Sequence, residues 1–115
     1  VTQRVIMEIA NSGDVVIIGR GSNFVLEDWS KSLHVNLTAP LEFRSSMIMD
    51  RLKYDEPTAR KYITDSDKGR EYYHRRFFER NAHDPLGYHI TLNVGRLGIR
   101  ETIGHIVRTV GTLHE

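Results

Sequence analysis

The 115-residue sequence contains no cysteine, which excludes a disulfide framework, a thiolate metal site and a cysteine nucleophile. Proline is scarce, with three residues, and two of them, Pro40 and Pro57, stand in the opening turns of expected helices, where a missing N–H costs nothing. No apolar run exceeds five residues, the densest being Val15-Val16-Ile17-Ile18, so no stretch is long enough for a membrane-spanning helix and no membrane partner is expected. Charge of a single sign is missing too. The net charge of +1 supplies no bulk field for nucleic acid, and none is expected as a partner. No secretory leader opens the chain, so a cytoplasmic location is the expectation. There is no G-x-S-x-G elbow for acyl transfer. The six histidines (His34, His74, His83, His89, His105 and His114) show no H-E-x-x-H or related ligand spacing, and no metal site is expected.

What remains is the alternation of an α/β chain. Residues 1–10 carry Val5, Ile6, Ile9 and Ala10 at helical spacing and end at Asn11-Ser12-Gly13. The β-branched run at 14–18 reads as a strand buried on both faces, as in a parallel sheet. Further strands are expected at 33–37 and 88–94, and helices at 40–53, 56–80 and 99–113. The pattern predicts one compact unit with a parallel sheet of about three strands and four helices.

Three segments carry chemistry. Gly19-Arg20-Gly21 follows the first strand directly, so backbone can approach a ligand closely there while an arginine forks onto a phosphate. A tight turn with a solvated arginine explains it equally well. Phe24 stands where a G-x-G-x-x-G fingerprint needs glycine. In the long helix the apolar stripe runs through Ala59 and Ile63 and resumes at Tyr73 and Phe77, and Asp67 and Arg70 fall on it. A carboxylate and a guanidinium on an inner stripe need partners or a ligand; the plain alternative is an Asp–Arg pair satisfied at i, i+3. Finally, Arg70, Arg75, Arg76 and Arg80 interleave with Tyr72, Tyr73, Phe77 and Phe78. That arrangement could stack single-stranded bases or close over the phosphates of a nucleotide. Asp65, Asp67, Glu71 and Glu79 dilute its field.

In order along the chain, four motifs resemble the cytidylate kinase-like family of P-loop nucleoside monophosphate kinases. The strand ending in Gly19-Arg20 is similar to that family's strand ending in Gly-Arg. His34 to Arg44, with Ala39-Pro40 at its centre, resembles its strand leading into Ala-Pro and an arginine-bearing helix. Asp67-Lys68-Gly69-Arg70 with Tyr72-Tyr73 resembles its D-x-x-R and aromatic helix, and Asp84 to Asn93 with Arg96-Leu97 resembles its last strand and Asn-x-x-Arg-Leu turn. The resemblance implies a P-loop kinase-like three-layer fold, incomplete here, with residues 1–115 as the C-terminal part of one domain.

By the same resemblance the activity is phosphoryl transfer from ATP to a pyrimidine monophosphate, CMP or dCMP, assisted by Mg²⁺. Arg20 would bind the acceptor phosphate, Asp67 and Arg70 would face the acceptor nucleotide, Arg44 would meet the transferring phosphates and Arg96 would lie near adenine. Gly21 stands where cytidylate kinases proper carry aspartate. No G-x-x-x-x-G-K-[ST] occurs in the 115 residues, so the chain alone is expected to hold neither ATP nor Mg²⁺ and to be inactive. Two partnerships follow as expectations: completion by an N-terminal P-loop half, whose strand would lie between 14–18 and 33–37, or pairing with a second copy. The alternative function is a non-catalytic module that binds nucleotide or protein.

Overall fold

The computed structural model describes residues 2–19 and 21–113. Its elements run α1 (Thr2–Asn11), α2 (Ser22–Val25), β1 (Val35–Thr38), α3 (Leu41–Leu52), α4 (Glu56–Phe78), a 3₁₀ turn (Pro85–Gly87), β2 (Ile90–Asn93), α5 (Val94–Leu97) and α6 (Ile99–Leu113).

Local chemistry sets most of these boundaries. Asp55 caps α4 by accepting from the Thr58 N–H at 2.9 Å, and Pro57 occupies the first turn. Those bonds from Thr58 hold the Asp55 carboxyl below its ordinary range. Pro40 sits one position earlier than expected, at the cap of α3. Lys53 and Glu79 close α3 and α4 with left-handed backbone. In α4 the helix continues through Gly69 without a break.

The sheet is smaller than the sequence suggests. β1 and β2 pair in parallel, Val35 opposite Ile90 and Thr38 opposite Asn93, and they are the two strands among the described residues. The expected strand at 14–18 does not form: residues 15–18 have no sheet partner, and Val16 and Ile18 are 90% and 89% exposed. A β-branched run favours extended backbone, but a strand exists only where a neighbour takes up its N–H and C=O groups. With two single-turn helices included, the described residues form six α-helices rather than four.

The core centres on Phe24, Leu26, Ala59, Ile63, Ala82 and Leu92. Around Phe24 stand His74, Phe78 and Tyr88, with ring centroids 5.6, 5.5 and 6.3 Å away. The guanidinium of Arg80 lies 4.2 Å over its face. The α4 stripe therefore returns on His74 and Phe78, not on Tyr73 and Phe77; Phe77 is exposed. Gly21 is required at this junction. Its φ is +67°, and a Cβ there would collide with the Phe78 ring.

Packing elsewhere is thinner. Val5, Met7 and Ile9 on α1 and Ile99, Ile103, Val107 and Val110 on α6 are exposed. The chain exposes 8525 Å², whereas a compact chain of 13.3 kDa is expected to expose roughly 6,500 Å².

Candidate functional site

In open α/β sheets, ligands sit beyond the carboxyl ends of the strands. Here those ends are Thr38 and Asn93, side by side in register. Each strand leads directly into a helix. The Asn93 side chain accepts from the Arg96 N–H at 3.1 Å and so starts α5. Gly95 packs against Pro40 and Phe43, where a Cβ would run into the proline ring. The two strand exits are thereby locked together, with Arg44 one residue beyond Phe43 and Arg96 one residue beyond Gly95.

Arg44 lies in the first turn of α3 and reaches across to α4. Its Nη1 donates to Asp67 Oδ2 at 3.0 Å and its Nη2 to Oδ1 at 2.5 Å, a two-pronged fork of the strong kind. Arg70 Nη1 donates to the same Oδ1 at 3.2 Å. The three side chains are 34%, 40% and 43% exposed for Arg44, Asp67 and Arg70, so the cluster is held by protein on one side and open to solvent on the other. The bonds from Arg44, followed by its charge and that of Arg70, hold the Asp67 carboxyl below the ordinary carboxylate range against the opposing effect of partial burial.

This clasp differs from the other pairs on α4. Glu56–Arg60, Lys61–Asp65 and Glu71–Arg75 are i, i+4 contacts along one helix, of a type worth about 0.3–0.5 kcal/mol each. Arg44 and Asp67 are 23 residues apart and tie two helices together. A carboxylate offers about four lone-pair positions; three are taken here, and one on Oδ2 remains for a ligand donor.

Of the residues singled out from sequence, Arg44, Asp67 and Arg70 are brought into one cluster. Arg96 is exposed at the same carboxyl edge, outside the clasp. Arg20 lies outside the described residues. Its neighbour Gly21 is buried against α4 at Phe78, two turns beyond Arg70. Along the arginine–aromatic helix, Arg75 pairs with Glu71, Arg80 with Glu27 and Asp84, and Phe78 faces the core, while Tyr72 and Phe77 are exposed.

Asn23 and Tyr88 were not singled out, although both support the site's frame. The buried Asn23 donates to the Gly87 carbonyl at 3.1 Å, and the Tyr88 hydroxyl donates to the Ala82 carbonyl at 2.6 Å. Burial pushes the Tyr88 phenol up. No sequence signal marked them, because their partners are loop carbonyls. Three histidines make similar framework contacts: His83 donates to Asn36 at 2.9 Å, and His34 stacks on His89 at 5.1 Å. Among the described residues no group of three or more metal-ligating side chains converges. No helix among them is long and apolar enough to cross a membrane.

A sequence profile describing the cytidylate kinase-like family matches residues 1–96. Among solved structures, the crystal structure of an uncharacterized protein from Eubacterium ventriosum superposes with a TM-score of 0.89 at 23% identity, over 96% of this chain and 63% of that one. The likeness establishes the fold, and this chain spans under two thirds of that protein's length. No curated protein matches the sequence.

Proposed function

This chain belongs to the cytidylate kinase-like family, and we propose that it forms the acceptor-binding portion of a nucleoside monophosphate kinase acting on CMP or a similar pyrimidine nucleotide. The observation that carries the reading is the clasp. Residues from two separate motifs, Arg44 from one and Asp67 with Arg70 from the other, meet at one place, joined to the carboxyl edge of the sheet through α3.

In this reading Arg70 and Arg20 hold the acceptor nucleotide, and the Asp67 carboxylate accepts from the exocyclic amino group of cytosine. Arg44, at the foot of the α3–α4 hairpin, meets the transferring phosphates, where fixed guanidinium charge is what phosphoryl transfer requires. Arg96 lies toward the adenine of ATP. The described residues include no cluster suited to Mg²⁺, and the sequence has no Walker-type loop. ATP and Mg²⁺ therefore belong, in this proposal, to a P-loop portion that accompanies the chain, where they would supply the phosphoryl group and neutralise its charge. A second reading, a non-catalytic nucleotide- or protein-binding module, is favoured by that same lack of a loop.

The test is calorimetric titration of CMP into the protein, with Asp67→Ala and Arg70→Ala alongside. Each substitution is expected to weaken CMP binding by about tenfold or more, the effect of losing a charge-assisted bond. Wild-type affinity in both variants would sink the site assignment. Intact CMP binding with no ATP-dependent turnover when a P-loop portion is present would select the non-catalytic module.

A further inference from the structure

Arginine forks recognise carboxylate and phosphate with the same planar pair of donors. In the clasp both guanidiniums already carry such a ligand, the protein's own Asp67. Two guanidiniums against one carboxylate leave a net positive charge, and all three side chains are partly open to solvent. Solvent reaches all three groups, so the fork is partly screened and an incoming anion can compete for the same donors. The groups around the cluster do not supply another anion: Asp65 is turned to Lys61, and Glu71 is bound to Arg75 and to the Ala82 N–H.

We infer that Asp67 is an internal stand-in for phosphate, occupying the forks of Arg44 and Arg70 until an incoming phosphate-class anion displaces its carboxylate. Anion binding is then an exchange at two guanidiniums on two helices, and it unties α3 from α4 as it proceeds. Because the Asp67 carboxyl stays ionised at neutral pH, the competitor is always present. The ligand must outbid it with more than charge, which favours a group with three oxygens over a monocarboxylate. The inference rests on the nucleotide-kinase reading for its biological sense, but its physical content does not depend on cytosine.

Sulfate is the suitable probe, since its charge is constant across the working range. Asp67→Asn should bind sulfate about fivefold tighter than the natural chain, the size set by releasing one exposed ion pair. Asp65→Asn makes the same change in net charge two residues away and should alter sulfate affinity by less than about twofold, the screened effect of a remote surface charge. Arg44→Ala added to Asp67→Asn should abolish the gain. Equal gains in Asp67→Asn and Asp65→Asn would reduce the effect to general electrostatics and overturn the inference, as would no gain at all. Asp67→Ser serves the same comparison if the asparagine variant does not fold. A sulfate gain in a chain that fails to bind CMP would defeat the nucleotide reading and leave the exchange standing. CMP binding lost in Arg70→Ala, without a sulfate gain in Asp67→Asn, would do the reverse.

Discussion

The surroundings of Phe24 and the run at 15–18 are both built from apolar sequence, yet they end in opposite states. Phe24 gathers three rings and a guanidinium, with glycines at 21 and 87 letting the backbone close in on it and its neighbours. Residues 15–18, which are more hydrophobic per residue, stand unpaired and largely bare, and α6 shows solvent a row of four branched side chains. Hydrophobicity alone therefore does not decide burial. What differs is whether a second surface of matching shape arrives. Aromatic rings on one long helix can be met by a single short helix and a turn, whereas a β-branched run needs strands on its edges and layers on its faces. The roughly 2,000 Å² by which the exposed area of 8525 Å² exceeds that of a compact chain of this mass is the measure of that unmet demand.

Three substitutions probe the contrast. Phe24→Ala should cost about 3–5 kcal/mol, the usual range for a buried phenylalanine, read as a loss of denaturation midpoint; a cost below about 1 kcal/mol would mean the well-packed region is no better packed than the rest.

The second effect is smaller and depends on pH. His34 sits between β1 and the loop after α2, with Nε2 donating to the Leu26 carbonyl at 3.0 Å and its backbone N–H donating to His89 Nδ1 at 2.9 Å. Burial, as the largest influence, lowers its pKa, with His89 adding to the lowering while the Leu26 carbonyl and Glu27 oppose it. A lowered folded value means that the unfolded chain binds the proton more readily. Stability should therefore decline as pH falls from about 6.5, the ordinary histidine value, through the lower folded value. His34→Gln should flatten that part of the profile. An unchanged slope would assign it to another group.

The smallest effect is expected on α6, where Ile103 is 54% exposed. Ile103→Lys should shift stability by no more than about 0.5 kcal/mol in this chain, as at other open surface positions. A much larger loss, or a change in association state, would show that something covers this face in solution.

Much of the frame was legible in the sequence. The start of α4 at Glu56 was legible through Pro57 in its first turn, and β1 and β2 fall within two residues of their expected bounds. The D-x-x-R pair was legible as a conflict, two charged residues on a stripe that ought to be apolar. Its resolution was not, because the partner, Arg44, lies on another helix and only the α3–α4 turn brings it across. Phase explains the error at Phe77. Counting from Ile63 through Asp67 and Arg70, the inner face continues to His74 and Phe78, and reading the aromatics as the stripe shifted it by one residue. The strand at 14–18 was misjudged for a different reason. Its composition reports what backbone shape it prefers, and sheet pairing is decided by neighbours far away in sequence.

The bare segment at 15–18 also affects how long the folded chain lasts. Proteases take their substrates as exposed backbone that can add to an edge in the cleft, and unpaired loops are where nicking begins. A cut here would sever the covalent link to α1, leaving its packing on the short α2 to hold it, while the β1–β2 pair and the clasp stay on a single piece. The part of the molecule with the most apolar sequence is thus the one whose survival depends most on the surrounding proteases, and the arginine cluster would outlast it.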